Sequence, residues 1–134
     1  MTNETYDGVE RRRFKRVLFA PDRMIKGVFT IDTDLTRTHS FRIADLGMGG
    51  LRFIVNRKDA GLIKSEPPVF LLRIEGELNV AFVRPVHLDI RWIMDQPAFQ
   101  FLMVGCAFEG LDQSAADLLE RVVNAELSKF EKGP

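Results

Sequence analysis

The sequence predicts a mainly β domain, a six-stranded antiparallel β-barrel with a C-terminal α-helix and a flexible N-terminal arm. Three observations predict it. Six short runs rich in β-branched and aromatic residues follow one another between Met24 and Phe108, with no helical stretch between them. A single amphipathic helical period occurs, and it comes last. The first ten residues, MTNETYDGVE, are polar and carry no apolar period.

In chain order, residues 1–10 form the arm and residues 11–134 the domain, with the barrel at about 17–110 and the helix at about 112–131. The strand runs are MIKGVFTI, HSFRIA, LRFIV, PVFLLRIEG, LNVAFVRPVHLDIRWIM and FQFLMVGCAF. Strands joined without crossover helices are antiparallel neighbours, and a sheet of this size removes its exposed edges by closing. In the fifth run Val86, Leu88, Ile90 and Trp92 alternate with His87, Asp89 and Arg91. The period of two puts the first set on one face and leaves the other for solvent or ligand. In the tail, Ala115, Leu118, Leu119, Val122, Val123, Leu127 and Phe130 recur at helical spacing. Asp112 or Ser114 serves as N-cap and Gly133-Pro134 as the stop. The apolar stripe of this helix packs on the barrel or forms a self-association surface.

Composition narrows the function classes. A chain of 134 residues with 46% hydrophobic residues fits one domain, burying about two-thirds of its unfolded surface. The 19 basic and 19 acidic residues cancel, which argues against a surface that coats nucleic acid or anionic lipid. Cys106 is the sole cysteine and sits in an apolar run, so it reads as a buried, inert thiol. The N-terminus lacks the pattern of a signal peptide, and no apolar run approaches the roughly 18 residues that span a bilayer. A cytoplasmic protein without membrane insertion is expected. His39 and His87 stand apart from other metal ligands, and no nucleophile, zinc or phosphate-loop motif occurs. Neither an enzyme, a metal nor a cofactor is expected.

Two stretches call for explanation. Arg11, Arg12, Arg13, Lys15 and Arg16 place five cations within six positions, and IADLGMGGLRF sets Asp45, Gly47, Gly49 and Gly50 between two strand-like runs. The glycines fit a tight or bulged turn with positive φ. They equally fit a place where a ligand approaches the backbone beside the Asp45 carboxylate.

Together the two stretches carry a resemblance. RRRFKR is similar to the RxxxR signature, and DLGMGG to the (D/N)xSxxG signature, of the PilZ domain, a bacterial receptor for the second messenger cyclic di-GMP. Arm, barrel and helix match the organisation of that family over nearly the whole chain. The resemblance implies that Arg12 and Arg16 hold phosphate and guanine, that Asp45 accepts from the guanine N1–H and 2-amino groups, and that Gly50 keeps the turn tight. Arginine suits the task because its planar fork pairs bidentately with phosphate or with the guanine edge. Arg11, just before the motif, favours a stacked pair of ligands. Arg52 and Arg91 are weaker candidates for extra contacts.

Gly47 departs from the pattern, since it replaces the serine of the second motif. The lost hydroxyl is worth about 0.5–1.5 kcal/mol, against about 1–3 kcal/mol for a bidentate arginine contact. The expected function is a cyclic di-GMP receptor that orders its arginine arm and signals to a partner protein. The alternative is a PilZ-like protein-interaction module that has lost nucleotide binding. A nucleic-acid barrel fits less well, with one Trp and one Tyr in the chain.

Overall fold

The structure is a computed structural model that describes residues 16–31 and 36–131. The arm, Arg11, Arg12 and Gly133-Pro134 lie outside the described residues. Seven strands are present: β1 (Arg16–Leu18), β2 (Ile25–Ile31), β3 (Thr38–Gly47), β4 (Gly50–Asn56), β5 (Val69–Gly76), β6 (Val80–Met94) and β7 (Phe101–Glu109). All pairings are antiparallel, in the order β1-β3-β2-β5-β6-β7-β4, and β4 pairs back onto β3. Strands β2 to β7 therefore form a closed six-stranded barrel. The short β1 continues the edge of β3 where β2 leaves it: β2 pairs with Thr38–Arg42 and β1 with Asp45–Gly47.

The barrel interior follows from strand alternation. Phe29 on β2, Phe41 on β3 and Phe53 on β4 meet inside with ring centroids 4.7–5.6 Å apart, each such pair adding about 0.5–1.5 kcal/mol beyond simple burial. Ile25, Ile43, Leu71, Ile74, Leu88 and Val104 fill the space around them.

The C-terminal helix, Gln113–Glu131, begins at Asp112, whose Oδ1 accepts from the Ala115 N–H at 2.9 Å. This is the expected N-cap, worth about 1 kcal/mol. Ala115, Leu119 and Val123 are buried where the helix packs on the barrel, against β6, β1 and β3. Glu126 lies on the same buried side and is held by Arg23 Nη1 and Lys129 Nζ, each at 2.8 Å. Arg23 also donates to Glu77 at 2.7 Å, tying the helix to the β1–β2 and β5–β6 loops. Burial pushes the Glu126 carboxyl up, but the hydrogen bonds from Lys129 and Arg23 outweigh it and hold the group below its ordinary value.

Three expectations are corrected. A 3-10 turn, Arg57–Asp59, and a short helix, Ala60–Lys64, interrupt the supposedly all-strand stretch between β4 and β5, with Ala60 and Ile63 buried. Their apolar residues are too few to show a helical period. Arg16, expected to become ordered with the arginine segment only when ligand binds, opens a strand already paired with β3. Trp92 is 40% exposed and does not share the buried face of Val86 and Leu88. The register of β6 against β7 shifts between Ile90 and Trp92, and this bulge at Arg91 reverses the side-chain phase of everything after it.

Candidate functional site

A second bulge builds the site. Ile43 pairs with Phe53 and Asp45 with Arg52, so Ala44 is the extra residue on β3. Without it Asp45 would follow Ile43 into the core. With it Leu46 takes the inward position, and Asp45 turns to the outer face opposite Arg52. Asp45 is nevertheless fully buried there, its side chain 1% exposed. Arg52 Nε donates to Asp45 Oδ2, and Arg16 Nη1 stands 3.9 Å from the same oxygen. Among the described residues Oδ1 has no hydrogen-bond partner. A buried carboxylate oxygen left unbonded is costly, on the order of 1–3 kcal/mol or more.

Cross-strand pairing extends the site sideways. Asp45, Arg52, Gly105 and Trp92 form one row on β3, β4, β7 and β6, spanning about 14 Å at the usual strand spacing. Gly50, Ala107 and Asp89 form the next row, and Gly47 pairs with Arg16. Glycine and alanine thus floor a shallow platform. Arg16 and Asp45 bound it on one side, and Trp92 and Asp89 on the other.

Gly47, Gly49 and Gly50 do not take the positive φ that the tight-turn reading expects. Asp45 and Gly47 belong to strand β3, and the turn itself is Met48-Gly49. The glycines with positive φ among the described residues are Gly76 and Gly110, in other loops. Gly50 is required by close approach, since a β-carbon there would collide with the Cys106 carbonyl oxygen of β7. Gly105 is required likewise, because its β-carbon would strike the Trp92 indole.

The fold gathers Arg16, Asp45, Gly47, Gly50 and Arg52 on one outer face. Arg91 is exposed on its bulge and pairs with Asp89 at 3.3 Å, two strands away from Arg52. Asp89 lies on the outward face that the alternation leaves for solvent or ligand, whereas Trp92 was expected on the opposite face and Gly105 was not singled out. A glycine inside the apolar run FLMVGCAF was the one available signal, as it marks a place where another group lies on the strand.

Cys106, beneath this face, is buried, and burial with the nearby Asp89 carboxylate pushes its thiol up to about 12. Among the described residues no cluster of three or more His, Cys, Asp or Glu is placed to hold a metal, and no helix is long and apolar enough to cross a membrane.

A family model for the PilZ domain matches residues 10–125. This chain belongs to the PilZ domain family. Solved structures carry the same fold at low identity. The PilZ domain of YcgR from Escherichia coli, solved with c-di-GMP, superposes with a TM-score of 0.61 at 14% identity, covering 91% of this chain and 95% of that one. The K. pneumonia MrkH–c-di-GMP complex gives 0.64 at 11% identity, over 91% of this chain and 55% of that one. The Bacillus subtilis inhibitor of motility MotI/DgrA gives 0.56 at 14% identity, over 89% and 52%. This PilZ chain therefore spans about half the length of MrkH and MotI/DgrA. No curated protein matches it.

Proposed function

We propose that this PilZ chain is a cyclic di-GMP receptor that acts without catalysis. One observation carries the reading: the buried Asp45 has one carboxylate oxygen, Oδ1, without a partner among the described residues, while Arg16 stands 3.9 Å from the other, at the edge of a platform floored by small residues. Guanine supplies two donors, N1–H and the 2-amino group, to such an acceptor. Arg16, with its side chain 56% exposed, is available to the phosphates, and Arg12 supplies the second motif arginine. That MrkH and YcgR were solved with c-di-GMP supports the reading by kinship. Binding draws the segment that carries Arg11 and Arg12, up to the start of β1 at Arg16, across the ligand and presents the joined surface to a partner protein, an event driven by charge-assisted hydrogen bonds.

Calorimetric titration with cyclic di-GMP, controlled by GTP and a linear guanine dinucleotide, tests the proposal. Specific binding at micromolar affinity or tighter, about 8 kcal/mol, is expected. Arg12→Ala and Arg16→Ala should each weaken it at least tenfold. Unchanged affinity in both variants would remove these residues from the site.

Gly47 favours a second reading, a PilZ module that works through protein contacts alone. Under it the wild-type protein gives no heat and no change in melting temperature with the nucleotide.

A further inference from the structure

We propose that Arg52 is a positioning residue that aims the Asp45 carboxylate at the ligand without touching the ligand itself. The inference rests on the receptor reading above and adds a residue to it. Arg52 and Arg16 reach the same oxygen of Asp45 from opposite neighbours of β3, yet differently. The Arg52 Nε–H is hydrogen-bonded to Oδ2, whereas Arg16 stops at 3.9 Å, beyond hydrogen-bond distance. The Arg52 side chain is 31% exposed, against 56% for Arg16. One arginine is committed to the carboxylate and the other is open to an anion.

The commitment has a geometric consequence. A guanidinium is planar and donates in a fixed direction, so its bond to Oδ2 fixes the rotation of the carboxylate about Cβ–Cγ. With Oδ2 fixed, Oδ1 is held in one orientation, unbonded and buried. The Ala44 bulge that brings Asp45 opposite Arg52 creates the pair, and with it the oxygen left without a partner among the described residues. Arg52 also provides counter-charge to a carboxylate that is out of water, where an uncompensated charge is strongly disfavoured. Lysine at the same place would keep the charge and lose the direction.

The test compares wild type, Arg52→Leu, Arg52→Lys, Asp45→Asn and the double variant Asp45→Asn/Arg52→Leu. Each is titrated with cyclic di-GMP, and the Arg52 Nε–H resonance is followed by 15N–1H NMR. Arg52→Leu should weaken binding about tenfold or more, and Arg52→Lys should restore only part of the loss. The double variant should bind no more weakly than Asp45→Asn alone, because Arg52 acts only through Asp45. The Nε–H resonance should persist on adding nucleotide and disappear in Asp45→Asn. Losses that multiply in the double variant would mean a direct ligand contact and overturn the proposal, as would full affinity in Arg52→Leu. Should Arg52→Leu fail to fold, the lysine variant and the resonance decide. Should wild type bind no nucleotide, the receptor reading falls separately, and the free protein still judges Arg52: an Nε–H resonance that survives in Asp45→Asn would overturn its role.

Discussion

The indole of Trp92 lies against the backbone of its cross-strand partner Gly105, so close that a β-carbon on Gly105 would stand 2.5 Å from Nε1. The contact seats the chain's single tryptophan at the edge of the platform that begins at Asp45. Intrinsic fluorescence is therefore a reporter of this face.

Gly105→Ala should push the indole off the sheet. Overpacking of this kind costs about 1–3 kcal/mol, so the melting temperature should fall while Trp92 emission shifts to the red as the ring gains water. Unchanged emission in the alanine variant would show that the ring rests elsewhere in solution.

Much of this molecule was legible before its structure, and what was hidden has a common cause. The six barrel strands, the helix and its Asp112 cap follow from hydrophobic period and capping chemistry, which are local signals. The motif residues Arg16, Asp45, Gly47 and Gly50 stand out in the sequence by their spacing, and strand pairing sets them on one face. Two bulges, at Ala44 and Arg91, could not be read, because one inserted residue reverses a strand's phase without altering its composition. They decide that Asp45 and Trp92 face outward. Glu126 was hidden for another reason: its partner Arg23 is 103 residues away in sequence.

Gly47→Ser restores the hydroxyl that the second motif has and this chain lacks. Gly47 ends a regular strand, two residues from Asp45 and therefore on the same face. Its pairing with Arg16 places the added oxygen next to the proposed phosphate ligand. Cyclic di-GMP affinity should rise about two- to tenfold, the worth of a neutral hydrogen bond of about 0.5–1.5 kcal/mol. A weaker complex measured by the same titration, with the melting temperature unchanged, would mean that the hydroxyl meets no acceptor or donor on the ligand.

Cys106 offers a test of the barrel itself. Its thiol is buried and pushed up to about 12 by burial and by Asp89, so at pH 8 the nucleophilic thiolate is scarce and shielded. A disulfide reagent such as DTNB should label the native protein only as fast as the barrel opens. Labelling should become rapid above the denaturation midpoint. Rapid reaction under native conditions would reveal local opening of β7 against β4 and β6.

Glu126 sets an acid limit on the docking of the helix. Although burial alone would raise its carboxyl, the bonds from Lys129 and Arg23 lower it below the ordinary value of 4.5. A carboxyl whose folded value lies below its unfolded one contributes stability above the unfolded value, and loses it as the pH falls through the folded one. Glu126→Gln removes the charge from the Arg23 bridge and should cost about 1–3 kcal/mol at neutral pH. The gap between wild type and variant, measured by denaturant melts, should narrow as the pH drops below about 4.5. Asp95 is also lowered, by Lys64 and Arg57, so wild type and Glu126→Gln share its acid response and their difference isolates Glu126. A gap that stays constant down to pH 2.5 would show that the Glu126 charge does not hold the helix to Arg23.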